Sequence, residues 1–270
     1  MKRYSRHIEN IMISILIDES IWEKEYKVFN SLFRSFELPE EISYECGMEY
    51  FYYIYDKETS ISKIEKNINF TVCDTYTDNW IFLLMHDLEV FYSSIMKCTI
   101  IHGSCVKING KNILLIGERR SGKTTLTKYL TISKNGEYLD DDCVYIMNDS
   151  YIGFNMPLPM RNITDYDVNN FWIGQTVDTD NIQRSLYSPP HCVNSLQKMD
   201  IIAFPKYIAD GGEVIKKMTQ GEAFNQIVKN VRSHDHMKTM FTDIKKLVLT
   251  TDCYCLEYSS SDSAYNLLFS

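Results

Sequence analysis

Gly117-Glu118-Arg119-Arg120-Ser121-Gly122-Lys123-Thr124-Thr125 fits the pattern G-x-x-x-x-G-K-[ST], and its reading decides how the rest of the chain is understood. Residues 112–116, Asn-Ile-Leu-Leu-Ile, form the short apolar run of a buried strand, and residues 124–130 contain no Gly or Pro, as a following helix requires. Strand, loop and helix stand in the order that a phosphate-binding loop needs. Such a loop wraps a polyphosphate with consecutive backbone N–H groups at the positive end of a helix. Gly117 and Gly122 permit backbone conformations and a closeness of approach that a Cβ would oppose. The pattern places Lys123 to reach the β and γ phosphates and the Thr124 hydroxyl to ligate Mg²⁺. Phosphate contacts are therefore expected from Gly117, Glu118, Arg119, Arg120, Ser121, Gly122, Lys123, Thr124 and Thr125.

Upstream, residues 99–108 read as a strand that turns at Asn109-Gly110 into the strand feeding the loop, because Asn-Gly between apolar runs is a strong hairpin signal. His102-Gly103 then lies on the neighbouring strand, with a titratable ring within reach of the phosphates. Downstream, residues 138–146 are β-prone and Asp140-Asp141-Asp142 falls at the expected start of that strand. Three adjacent carboxylates repel one another and make an ordinary solvated turn elsewhere. Beside a magnesium–nucleotide loop they supply hard oxygen ligands and a base. Met156-Pro157-Leu158-Pro159-Met160 is stiffened by its prolines and presents Arg161, a candidate for pairing with phosphate or an acidic substrate as well as a plain surface arginine.

The chain of 270 residues suits one large domain or two ordinary ones. Its 44% hydrophobic and 24% charged residues are globular proportions. A net charge of −8 disfavours non-specific adhesion to nucleic acid or an anionic membrane. The apolar run 11–17 follows a basic start but is short, is preceded by Glu9 and runs into Asp18-Glu19, so it reads as a strand and not a signal peptide. Eight scattered cysteines without a C-x-x-C pair fit reduced thiols and a cytoplasmic protein.

Residues 1–97 read as a separate α/β unit: a strand at 11–17, a helix carrying Trp22, Tyr26, Phe29 and Phe33, strands at 49–55 and 68–72, and a helix at 78–96 that includes His86. Beyond the loop, strands are expected at 200–205, 213–218, 247–249 and 253–258. A helix from Thr219 to about Val231 opens with Thr219 and Glu222 at capping-box spacing, and another closes the chain. His191 has no evident partner, and His234-Asp235-His236 lacks a third ligand and reads as a solvated loop.

Together, His102-Gly103, the Asn-Gly hairpin, the phosphate loop and Asp141-Asp142 resemble the kinase core of HPr kinase/phosphorylase and its stand-alone relatives, a fold related to ATP-dependent phosphoenolpyruvate carboxykinase. The resemblance implies an α/β fold with a P-loop kinase core over 98–270, preceded by a small α/β N-terminal domain over 1–97 that takes part in substrate binding. It implies ATP and Mg²⁺ as cofactors and makes Asp141 the general base. Asp142 would assist with metal or electrostatics, His102 would support the acidic pair, and Lys123 would serve catalysis. Asp140 shares either role on sequence alone. The second signature that HPr kinase/phosphorylase carries after its core is missing, which leaves phosphocarrier recognition and phosphorolysis open. The N-terminal unit is more similar to that of kinases associated with maturation of ribosomally made peptides.

The expected activity is ATP-dependent phosphorylation of a Ser or Thr hydroxyl on a peptide or protein acceptor, with no nucleic-acid or membrane partner and with homo-oligomerisation left open. One alternative is a small-molecule hydroxyl kinase. Another is a nucleotide-binding switch without kinase activity, whose support is a second Walker B-like run, Leu247-Val248-Leu249-Thr250-Thr251-Asp252.

Overall fold

The computed structural model describes residues 2–8, 11–32, 48–54, 69–73, 97–152, 157–160, 172–177, 182–188, 197–232 and 237–270. The helix expected at 78–96 with His86, Arg161, His191 and the His234-Asp235-His236 triplet lie outside these residues. The chain divides into two compact units, Met1–Leu88 with Arg161–Tyr187, and Glu89–Met160 with Ser188–Ser270.

The first unit is built on a four-stranded sheet in the order β1 (Lys2–Ile8), β2 (Ile11–Ile17), β3 (Met48–Ile54) and β4 (Asn69–Cys73). β1 and β2 form an antiparallel hairpin, whereas β3 and β4 add in parallel. Helix α1 (Glu19–Leu32) follows β2, its start fixed by Asp18, which accepts from the backbone N–H and the hydroxyl of Ser20. Its buried Ile21, Val28 and Phe29 recur at helical spacing. The Trp22 indole N–H donates to the Tyr4 hydroxyl at 2.7 Å, tying α1 to β1. An antiparallel pair, β10 (Trp172–Val177) and β11 (Gln183–Tyr187), belongs to the same unit and meets α1 where Gly174 leaves room for Val28.

The second unit carries β5 (Thr99–Ile108), β6 (Lys111–Ile116), β7 (Glu137–Met147), β8 (Ser150–Tyr151), β9 (Leu158–Met160), β12 (Gln197–Lys198), β13 (Ile201–Tyr207), β14 (Val214–Lys217) and β15 (Asp252–Tyr258). Eight of these form one sheet in the order β12-β8-β7-β5-β6-β13-β15-β14. β6, β13 and β15 run parallel, and the flanking strands are antiparallel. The hairpin between β5 and β6 turns at Asn109 and Gly110, with φ of 51° and 75°, the left-handed pair that Asn-Gly is suited to adopt.

From Ile113 to Ile116 β6 is apolar because both of its faces are covered. Leu114 and Ile116 join one apolar cluster with Ala223 and Ile227 of α3 (Gln220–Val228) and Met240, Ile244, Leu247 and Val248 of α4 (Met237–Thr250). Ile113 and Leu115 join the opposite cluster with Leu126 of α2 (Lys123–Lys128) and Ala264 and Leu268 of α5 (Ser261–Phe269). The expected Thr219 capping box closes α3: Thr219 accepts from the Glu222 N–H, and the Glu222 carboxylate accepts from the Thr219 N–H.

Residues 247–249 are not a strand as their composition suggested; they form the last turns of α4. Leu247 and Val248 share the buried helical face with Met240 and Ile244, while Leu249 is 53% exposed, an arrangement that helical geometry allows and a buried strand would not. The Walker B-like run thus loses its strand. Asp252 stands opposite Ile201, which stands opposite Ile113, so it lies at the end of the sheet away from the loop that leaves after Ile116. There it pairs with Lys217 at 2.7 Å. Among the described residues, no helix is long and apolar enough to cross a membrane.

Candidate active site

The loop between β6 and α2 is built as its glycines require. Gly122 takes φ of +95° at the start of α2, and a Cβ there would collide with the Tyr258 hydroxyl. A Cβ on Gly117 would sit 2.9 Å from Ser121 Oγ. The first helical hydrogen bond runs from the Leu126 N–H to the Gly122 carbonyl, so the N–H groups of residues 122–125 have no acceptor within the helix. After Lys128 the helix passes directly into a π-helical turn, Tyr129–Ser133.

Lys123 is buried, and its ammonium donates to the Gly117 carbonyl at 2.7 Å and the Glu118 carbonyl at 3.0 Å. Burial pushes its pKa down, against the upward pull of the charges on Asp141 and Asp142. Its Nζ also lies 3.2 Å from His102 Nε2. An ammonium can only donate, so Nε2 accepts from it, while Nδ1 faces Asp142 Oδ1 at 3.1 Å and Arg232 Nη2 at 3.0 Å.

The three aspartates lie inside β7, not at its start, because the strand already begins at Glu137. Asp140 and Asp141 are buried. Asp140 turns away from the loop and accepts from the Tyr151 hydroxyl at 3.2 Å. Asp141 faces the loop: Oδ2 accepts from the Thr124 hydroxyl at 2.9 Å and Oδ1 from the Ser104 hydroxyl. Burial raises its pKa to about 6; the Ser104 hydrogen bond opposes that rise and the negative charge of Asp142 adds to it.

Consecutive strand residues ordinarily point to opposite faces. Asp142 escapes that rule by adopting φ of +74°, a left-handed conformation that Asp tolerates better than most residues. Its partner across the ladder is Gly103, where a Cβ would meet the Leu115 carbonyl oxygen at 2.8 Å. Asp142 Oδ1 accepts from Arg232 Nη2 at 2.7 Å as well as from His102. Burial opposes ionisation, but the hydrogen bond from His102 and the charge of Arg232 outweigh it and hold this carboxyl well below the usual range.

Arg232 was not among the residues singled out from sequence, and neither was Ser104. β6 pairs with β5 only from Gly103 onward, so the first residues of β5 have an open edge on that side. The chain leaving α3 fills it: the His102 N–H donates to the Asn230 carbonyl at 2.7 Å and the Arg232 N–H to the Ile100 carbonyl at 2.9 Å. This pairing delivers Arg232 to the acidic pair. Ser104 shares a face with His102 two residues earlier and stands opposite Asp141. A serine two residues beyond His102 was the one available sequence signal for it; Arg232 had none.

Glu118, Arg119 and Arg120 are exposed on the rim of the loop, with Arg120 at φ of 69°. Thr125 is exposed on the first turn of α2. Ser121 Oγ is buried without a hydrogen-bond partner among the described residues, and the N–H groups at the start of α2 have no acceptor within the helix. These donors fit a polyphosphate. Among the described residues no group of three or more His, Cys, Asp or Glu forms a ready metal cage. Mg²⁺ keeps waters and phosphate oxygens and needs few protein oxygens, so the Thr124 hydroxyl and one carboxylate of the pair suit it.

Comparison of the sequence with protein-family profiles and with curated proteins gave no match. Among solved structures, the HPr(Ser) kinase/phosphatase from Coxiella burnetii is similar at 12% identity and a TM-score of 0.33, over 63% of this chain and 93% of that one.

Proposed function

We propose that this chain is an Mg²⁺- and ATP-dependent kinase that transfers phosphate to a Ser or Thr hydroxyl of a peptide or protein acceptor. The observation that carries the reading is the junction of loop and acidic pair: Thr124 of the loop is bonded to Asp141, while Lys123 meets His102, which is bonded to Asp142. Phosphoryl transfer needs positioning, charge neutralisation and an acceptor for one proton, and little covalent chemistry.

The two carboxylates are pushed in opposite directions, and that separation supports different roles for them. Asp141, raised to about 6, is poised to take the proton of the acceptor hydroxyl near neutral pH. Asp142 stays ionised, as a metal ligand must, and its three contacts with His102 and Arg232 fall on Oδ1 or the backbone oxygen, leaving Oδ2 to face the metal. Held by Thr124 and Asp142, Mg²⁺ would neutralise the phosphate oxygens. Lys123 reaches the β and γ phosphates, His102 orients Asp142, and the loop N–H groups cradle the chain of phosphates. Arg161 remains the proposed acceptor contact.

The test is incubation with Mg-ATP and separate pools of Ser/Thr peptides and small alcohols, with phosphate incorporation read by mass spectrometry. Transfer to peptides that is lost in Asp141→Asn is the expected result. Phosphate found on small alcohols alone would move the chain to the small-molecule class, and none in either pool would overturn kinase activity.

A further inference from the structure

The loop has a direction. Lys123 points toward His102 on β5, and Thr124 toward Asp141 on β7, both on one side of β6 in the sheet. The γ phosphate and the acceptor therefore lie over β5 and β7, and the nucleoside end of a bound nucleotide must leave over β13 and β15 on the other side of β6. Ligands of such sheets bind at the carboxyl ends of parallel strands, and β13 ends at Tyr207.

Tyr207 is an unusual residue to find there. It is 53% exposed at the end of a strand whose first five residues are buried. Its Cβ lies 3.6 Å from the place a Cβ would occupy on Gly122, so the ring rises beside the phosphate loop. Tyr258, opposite it in the ladder, meets it edge-on at 5.8 Å between centroids, and the Tyr258 hydroxyl reaches the Ser121 carbonyl at 3.5 Å. One tyrosine is thus buttressed against the loop by another, while part of its ring stays open to solvent.

We infer that Tyr207 is the stacking platform for the nucleobase, so that the donor site recognises a nucleoside triphosphate and not the phosphate chain alone. This rests on the nucleotide reading of the loop. Stacking on a tyrosine face is tolerant of base identity, so the platform favours a base over none without choosing adenine or guanine.

Calorimetry with Mg-ATP and with Mg-tripolyphosphate separates the inference from its premise. Tyr207→Ala is expected to weaken Mg-ATP binding about tenfold, the scale of one lost base–aromatic stack, and to leave tripolyphosphate unchanged. Tyr207→Phe keeps the ring and is expected to bind both ligands as the parent chain does. Equal losses for the two ligands, or none for ATP, would overturn the platform while leaving the loop assignment standing. Failure of the parent chain to bind tripolyphosphate would overturn the loop assignment, and the platform with it.

Discussion

The Thr124 hydroxyl and the Asp141 carboxylate meet at 2.9 Å, joining the last loop position expected to touch metal to a carboxylate two strands away in the sheet. The contact brings a carboxylate to the first turn of α2, directly after the loop. Asp141 is less acidic than an exposed aspartate, and its burial is the main cause.

Replacing Asp141 with Asn keeps the side chain's size but removes its capacity to accept a proton. Transfer is expected to fall by about 10²–10⁴-fold, while Mg-ATP affinity stays within a few-fold of the parent. In the parent chain, kcat/KM should rise with pH through about 6 and then level, because Asp141 must be ionised to act. A rate independent of pH between 5 and 7, measured by initial velocities with a fixed acceptor, would remove Asp141 from the role of base.

The same pair gives stability a pH signature in the absence of nucleotide and metal. Asp141 has a folded pKa of about 6, above its ordinary 3.8, so the proton is held more tightly in the fold. Its contribution to stability is complete below about 4 and is lost as pH rises through 6. A rise of that size corresponds to about 3 kcal/mol. Asp142 has the opposite sign: its lowered pKa contributes above the ordinary carboxylate range and is lost on strong acidification. Between pH 4 and pH 8, denaturant midpoints should therefore shift in favour of Asp141→Asn relative to the parent chain, and Asp142→Asn should lose stability at pH 8.

What the sequence disclosed was local. The glycine-containing loop at 117–125, the Asn-Gly turn and the Thr219 capping box are patterns of a few adjacent residues whose backbone requirements are specific, and each has the backbone its pattern requires. The contacts of the site depend on pairings distant in sequence. Ser104 reaches Asp141 through the register of β5 on β7, and Arg232 arrives because β6 turns into the loop and leaves an edge of β5 open. Neither event has a local signal. The left-handed Asp142, which lets two consecutive carboxylates serve one site, is likewise set by its place opposite Gly103. Leu247-Val248-Leu249 misled because three apolar residues have no measurable period; only Met240 and Ile244 before them show the helix. Chain order also hid the grouping of Arg161–Tyr187 with the first unit.

Asp252 offers a control for the rival reading of the nucleotide site. It lies at the far end of the sheet, and its partner Lys217 is 67% exposed, so this is a surface ion pair. Asp252→Asn is expected to leave Mg-ATP affinity and transfer unchanged and to cost less than about 1 kcal/mol of stability. A loss of ATP binding in calorimetry would instead restore the late Walker B-like run as the metal-binding segment.

Arg232 is the residue whose removal separates structural support from chemistry. Its guanidinium donates to Asp142 at 2.7 Å, and its backbone closes the open edge of β5, a role that Ala preserves. Arg232→Ala therefore leaves the edge pairing intact and strips Asp142 of a cation in a half-buried setting. The expected cost is about 1–3 kcal/mol, below that of a fully buried pair because water still screens both groups. Without the guanidinium the Asp142 carboxyl becomes less acidic but stays ionised near pH 6, and its charge, no longer offset by that cation, pushes Asp141 up more strongly. The rate profile should consequently shift to higher pH, a change that a purely structural residue would not produce. Arg232→Lys keeps the charge but not the planar fork and should recover part of the stability and most of the original profile. A variant that loses stability while its pH profile stays in place would confine Arg232 to holding the fold.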